Sequence, residues 1–340
     1  MIPPALKHSG AENSRQMIQT EQLLHTLHKE FDNSTYGANP DELYEPIRYI
    51  MSLNGKRFRP LLTLLGAGLY KDDLAKAVKP AMAVEIFHNF TLMHDDIMDD
   101  APLRRGKPTV HEKWNANTAI LSGDVMLIRA YDHLLDIDPA QLRRVLARFN
   151  QTAAEVCEGQ QLDMNFEKRW DVTEDEYLEM IRLKTSVLLG FALELGALIS
   201  DADATDVQLL YKAGENMGIG FQLKDDLLDV YGDPEKFGKQ VGGDIISNKK
   251  TFLLIEALTK AEGAIKTELN DWIAKETFDK AEKVEAVRHI YDQLHIREIT
   301  EQKISEYFNL GFESLEKLNV VPERKEPLLQ FVHQLVNREQ

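Results

Sequence analysis

Residues 73–105 read DLAKAVKPAMAVEIFHNFTLMHDDIMDDAPLRR. Apolar residues recur there at three and four spacing, which predicts one long helix from Asp73 to Asp100, with Pro80 the position that would kink it or begin it anew. Asp95, Asp96 and Asp99 stand at i, i+1 and i+4, and residues three and four apart share a helical face. Carboxylates crowded on one face repel each other, and a hard divalent cation such as Mg²⁺ relieves that repulsion through oxygen ligation. Arg104 and Arg105 follow within two turns, and a planar guanidinium can grip phosphate oxygens bidentately. Carboxylates, metal and arginines together describe a diphosphate site. Taken alone, the same stretch reads equally well as a solvated acidic helix end.

A second copy tips the balance. Asp203 to Tyr231 is expected to be helical and contains GIGFQLKDDLLD at residues 218–229. Asp225, Asp226 and Asp229 repeat the i, i+1, i+4 pattern, with Gln222 one turn ahead. The loop that follows, GDPEKFGKQVGGDI at residues 232–245, lacks the Walker spacing and lies between helices, which argues against a P-loop. Its Lys239, and Lys249 just beyond, read as cations able to fold over a phosphate.

Upstream, GKRFRP at residues 55–60 places Lys56, Arg57 and Arg59 before an apolar helix expected over Leu61 to Tyr70. Free backbone N–H groups at a helix start favour anions. The commoner fate of a basic triplet is a solvated loop. His88 lies two turns before Asp95 on nearly the same face. Lys184 and Thr185 interrupt a leucine-rich helix expected from Thr173 to Ser200, where a lysine ordinarily snorkels to solvent.

The rest of the chain is helical almost throughout. Expected helices include Glu21 to Phe31, Asp41 to Leu53 with Asp41 as N-cap, Asn117 to Asp136 with Gly123 permitting close packing, and Asp138 to Phe166. Gly106 to His111 is expected as a loop, and no alternating strand pattern with hairpin turns is found. The fold class is therefore all-α: a single-domain bundle of about a dozen helices around a central cavity. Residues 1–16 read as a disordered leader, and residues 17–340 as the one domain.

With 40 basic and 56 acidic side chains among 340 residues, the formal charge is −16. Nucleic acid is a poor partner for such a field, so phosphate must be gathered by local cations or metals. The one cysteine, Cys157, excludes an internal disulfide framework, fits a reducing compartment and is expected to be buried filler. No apolar run reaches membrane-spanning length and no signal-peptide core is present, so a cytoplasmic address without membrane insertion is expected.

The two aspartate motifs, together with RRGKPTVH at residues 104–111, GKRFRP, the Lys184-Thr185 pair and FQLKDDLLD, resemble the trans-polyprenyl diphosphate synthase family. The match runs in order from Leu53 to about Leu254. This resemblance implies a homodimer with the all-helical isoprenoid synthase fold that condenses isopentenyl diphosphate with an allylic diphosphate. It implies that Asp95, Asp96, Asp99, Asp225, Asp226 and Asp229 hold about three Mg²⁺ ions on the allylic diphosphate. Arg104, Lys184, Lys239 and Lys249 would contact that same group. Lys56, Arg57, His88 and Arg105 would bind isopentenyl diphosphate, and Thr185 and Gln222 would flank the reacting carbons.

In this family the side chains just before the first motif set product length. Here Phe90 and Thr91 stand five and four residues before Asp95, with Phe87 one turn below Phe90. A phenylalanine there walls off the tail cavity, although it also fits an ordinary core position. The first motif has two residues between its aspartate pair and last aspartate, unlike the four of bacterial farnesyl synthases. Thr91 replaces the second aromatic of animal farnesyl synthases. Both departures favour a twenty-carbon product over fifteen. A terpene cyclase is the rival enzyme, and a catalytically silent helical scaffold the rival outside catalysis. The second aspartate triplet and GKRFRP argue against the first, and the intact ligand set against the second.

Overall fold

The computed structural model describes residues 10–53, 55–232 and 242–336. Among these the chain is all-α, with sixteen α-helical segments, two of them single turns. The first ten are α1 Gly10–Asn33, α2 Asp41–Ser52, α3 Phe58–Gly68, α4 Ala75–Met98, α5 Val110–Lys113, α6 Ala116–Leu134, α7 Pro139–Glu167, α8 Glu174–Ile181, α9 Val187–Leu198 and α10 Ala204–Tyr231. Six more follow, from Gly243–Ile246 to Pro322–Val336. No described helix is long and apolar enough to cross a membrane.

The chain divides into two compact units. One comprises Met1–Phe149, Ala192–Leu210 and Leu318–Val332; the other Asn150–Phe191, Tyr211–Lys317 and His333–Gln340.

In the first unit α4 packs against α3 and α6 and buries Val84, Ile86 and Phe87. Pro80 lies inside α4 without ending it, and the Asp73 carboxylate, one residue before the N-cap Leu74, accepts from Ala75 N at 2.9 Å. Gly123 of α6 makes room for a side chain of α4: a Cβ there would lie 2.2 Å from His94 Nε2. Asp206 ties distant segments together, accepting from Tyr70 Oη and from Asn319 N, each at 3.0 Å.

In the second unit the start of α8 is fixed by a capping box, Thr173 with Glu176, that satisfies otherwise orphaned N–H groups. An ion pair from Lys303 to Glu174 at 2.9 Å holds this end of α8. Tyr177, Leu223, Phe252, Ile290 and Tyr291 fill the core.

Several local expectations are corrected. Helix α1 begins at Gly10, ahead of the expected Glu21, and residues 1–9 lie outside the described residues. Pro40 occupies the N-cap of α2 and Asp41 is its first helical residue. Helix α3 takes in Phe58 to Pro60, since a proline in the first turn gives up an N–H that has no intrahelical partner anyway. A hairpin interrupts the expected loop: β1 Leu103–Arg104 pairs antiparallel with β2 Lys107–Pro108. Arg105 and Gly106, both at positive φ (52° and 74°), form its two-residue turn. Between α8 and α9 the helix widens into a π turn at Arg182–Ser186. Cys157 is exposed, because the phase of α7 turns Thr152, Val156 and Gly159 inward and leaves residue 157 outside.

Candidate active site

In the first unit, the C-terminal turn of α4 and the hairpin bring the first aspartate motif onto Arg104. Arg104 Nε donates to both oxygens of the buried Asp96 at 2.8 Å, and its Nη2 lies 2.6 Å from Asp96 Oδ1 and 3.9 Å from Asp95 Oδ2. Burial pushes the Asp96 carboxyl above its usual range, and Arg104 opposes that shift. Asp99 is the exposed C-cap of α4. The tight turn sends the neighbouring arginines apart, so Arg105 Nη1 donates instead to Leu53 O at 3.0 Å. A Cβ on Gly55 would sit 2.8 Å from that guanidinium, so the glycine of GKRFRP makes room for Arg105.

The cationic group contains an acid that pattern reading missed. Arg57 is buried, donating to Glu85 Oε1 at 2.6 Å and to Met51 O at 2.5 Å, with its guanidinium 4.8 Å from the Phe31 ring centroid. Glu85 was discernible only as the lone acid in the apolar run AMAVEIF. His88 Nε2 meets Arg59 Nη1 at 3.1 Å. Burial, reinforced by the nearby arginines, holds His88 well below the usual histidine range, so it enters this cluster as a neutral acceptor. Lys56 is exposed.

In the second unit, α10 presents the second motif. Asp226 is buried; it accepts from Gln222 Nε2 at 3.1 Å and from the hydroxyl of Tyr177, which the sequence did not single out. Gln222 Oε1 in turn accepts from Thr185 Oγ1 at 3.2 Å. Thr185 and Lys184 both sit in the π turn, a feature common at functional sites. Lys184 Nζ donates to Asp163 Oδ2 of α7 at 2.6 Å. Gly159 permits that approach, since a Cβ there would lie 2.2 Å from Lys184 N. Asp225 is exposed, and Asp229 Oδ2 accepts from Asp244 N at 3.0 Å. Lys239 lies outside the described residues.

Asp226 provides the test of fit for a metal. Burial, then the charge of Asp244, push its carboxyl up to about 7, with Lys249 pulling the other way. Buried oxygen donors short of positive charge suit a hard cation, and Mg²⁺ takes carboxylate oxygens together with phosphate. Asp226, Asp225 and Asp229 are the residues that would hold it in this unit; Asp95, Asp96 and Asp99 in the other. Asp100, His111 and Glu112 also place donor atoms within 4.8 Å of one another beside the first motif.

The three chain-length candidates lie on one stretch of α4. The Phe90 ring packs against His94 at 4.8 Å and Phe87 at 5.6 Å, and Phe87 continues onto Phe149 at 5.2 Å. Thr91 Oγ1 is turned back onto His88 O at 2.8 Å.

A family profile described as Polyprenyl synthetase matches residues 40–293. The geranylgeranyl diphosphate synthase of Methanosarcina mazei is 39% identical over 304 residues, covering 89% of this chain and 91% of that protein. A crystal structure of a geranylgeranyl pyrophosphate synthase superposes with TM-score 0.90 at 45% identity, covering 94% of this chain and 99% of the other. The corresponding synthetase structure from Pyrococcus horikoshii gives TM-score 0.87 at 31% identity, over 96% and 99%. Since the matched residues run through both units and both aspartate motifs, the chain belongs to the polyprenyl synthetase family of prenyl-transferring enzymes.

Proposed function

We propose that residues 17–340 form one catalytic domain that joins isopentenyl diphosphate to allylic diphosphates and stops at geranylgeranyl diphosphate. The observation that carries this reading is Asp226, a buried carboxyl beside Asp244 in an aspartate-rich motif, short of the positive charge that divalent metal ions bring. The names of the relatives favour the twenty-carbon product.

Arg104, Lys184, Lys239 and Lys249 grip the allylic diphosphate, and Arg104 and Lys184 do so by exchanging Asp96 and Asp163 for phosphate oxygens. Lys56, Arg57, Arg105 and the neutral His88 bind isopentenyl diphosphate. About three Mg²⁺ ions on the six motif carboxylates, when bound, withdraw charge from the leaving diphosphate. The allylic C–O bond breaks and its electron pair leaves with diphosphate. Thr185 Oγ1 and Gln222 Oε1 turn their dipoles toward the allylic cation. The isopentenyl double bond attacks that carbon, and the departed diphosphate takes the proton released.

A homodimer belongs to the same proposal. It is supported by Ile120, Leu121 and Ile128, which stand exposed along α6 and are apolar enough to need a cover. A cytoplasmic location, with no nucleic acid or membrane partner, completes the reading.

Phe90→Ala tests the wall. Removing the ring that packs between His94 and Phe87 opens space below the first motif, and products longer than twenty carbons are expected. Thin-layer separation of dephosphorylated products reads this directly. A mutant product of the wild-type length would place the wall elsewhere.

A further inference from the structure

Lys283, on the helix Lys280–Gln293, is completely buried. Among the described residues no carboxylate pairs with it. Burying an ammonium without a counter-ion is costly, and a residue needed only for packing would be apolar. The charge is spent on one turn. Lys283 Nζ donates to Asn248 Oδ1 at 2.8 Å and to Ile246 O at 3.4 Å, over the Phe278 ring at 4.2 Å. Asn248 is held from its other end too, its Nδ2 donating to Ile273 O at 3.1 Å. That grip matters because Asn248 stands at φ 53°, in the left-handed region where a side chain needs local support.

The clamped turn leads straight to the second aspartate motif. Lys249 N donates to Asp244 O at 2.9 Å, Asp244 N to Asp229 Oδ2 at 3.0 Å, and Gly242 N to Asp229 O at 2.6 Å. Val284, next to Lys283, packs so closely on Gly242 that a Cβ there would lie 2.5 Å from Val284 Cγ2. The charges of Lys249 and Asp244 both reach Asp226. We propose that Lys283 is a positioning residue: through Asn248 it fixes the turn that presents Lys249 and Asp244 to the second aspartate motif, and so sets affinity for the allylic diphosphate.

The proposal rests on the prenyl-transfer reading above and is tested on the full chain with steady-state kinetics. Lys283→Met keeps the length of the side chain and removes its charge. It should raise KM for the allylic diphosphate about tenfold, as expected for losing a charge-assisted hydrogen bond. KM for isopentenyl diphosphate should not change, and Lys283→Arg should recover most of the loss. Asn248→Gly keeps the left-handed backbone and removes the clamp, so it should reproduce the same rise, with no further rise in the double variant. This second variant serves if Lys283→Met does not fold. An unchanged allylic KM in Asn248→Gly, or equal rises for both substrates with a fall in kcat, would overturn the positioning role. A wild-type chain that incorporates no isopentenyl unit would instead overturn the underlying reading, and this proposal with it.

Discussion

Asp226→Asn is expected to lower kcat by about 10²- to 10³-fold, the scale of losing one preorganised electrostatic group, while leaving the metal-free protein at least as stable at pH 8. The two halves of this result have one cause. Folding takes the Asp226 carboxyl out of water and sets it near Asp244, raising its pKa to about 7 from a usual value near 4. The folded state therefore holds this proton more tightly than the unfolded state. Between those two pH values its contribution to stability grows as pH falls, and above pH 7 the ionised group opposes folding. Asparagine removes the charge and with it that opposition. Denaturant titration of the metal-free chain at pH 5 and pH 8 should show a pH-dependent component in the wild type that the mutant lacks. A mutant that is both inactive and much less stable would mean that Asp226 is a structural hydrogen-bond partner of Tyr177 and little more.

Glu85→Ala should give the largest loss of stability, about 3–5 kcal/mol, because it leaves Arg57 buried without its counter-ion. The two side chains are only 6% and 3% exposed and meet at 2.6 Å, so solvent does little to screen the pair. Glu85 also supports the positive charge of Arg105, which burial and Arg57 both oppose. Removing it sets two guanidinium groups against each other, and KM for isopentenyl diphosphate should rise as well. Urea denaturation measures the first effect. Replacing both partners, Arg57→Met with Glu85→Met, should restore much of the stability and none of the substrate affinity. A loss below about 1 kcal/mol in Glu85→Ala would show that the pair behaves as a surface ion pair.

Helices and motifs were legible in the sequence for different reasons. Apolar spacing reports local periodicity, so α4 and α10 fall close to the expected limits. The aspartate motifs stood out because the same spacing occurs twice. Partners chosen by tertiary packing left no such signal. Tyr177 reaches Asp226 across 49 residues and Asp163 reaches Lys184 across 21, while neither has a distinctive neighbourhood of its own. The GKRFRP triplet showed its charge but not that Arg57 would be buried against Glu85. Spacing placed His88 on the face of the first motif but could not show that it is buried among arginines, because periodicity locates a side chain without reporting its solvation. The hairpin spans only residues 103–108 and the π turn only residues 182–186, too few to disturb the helical pattern around them. The Arg105-Gly106 pair offered the one local clue, since glycine within a two-residue hairpin turn tolerates the positive φ found there.

Incorporation of labelled isopentenyl diphosphate distinguishes chain elongation from every rival activity, with dimethylallyl, geranyl and farnesyl diphosphates each supplied in turn in Mg²⁺. All three starters should be extended, their products should converge on twenty carbons, and chelating the metal should stop incorporation. Release of diphosphate from the allylic substrate with no label incorporated would contradict chain elongation and point to a cyclase.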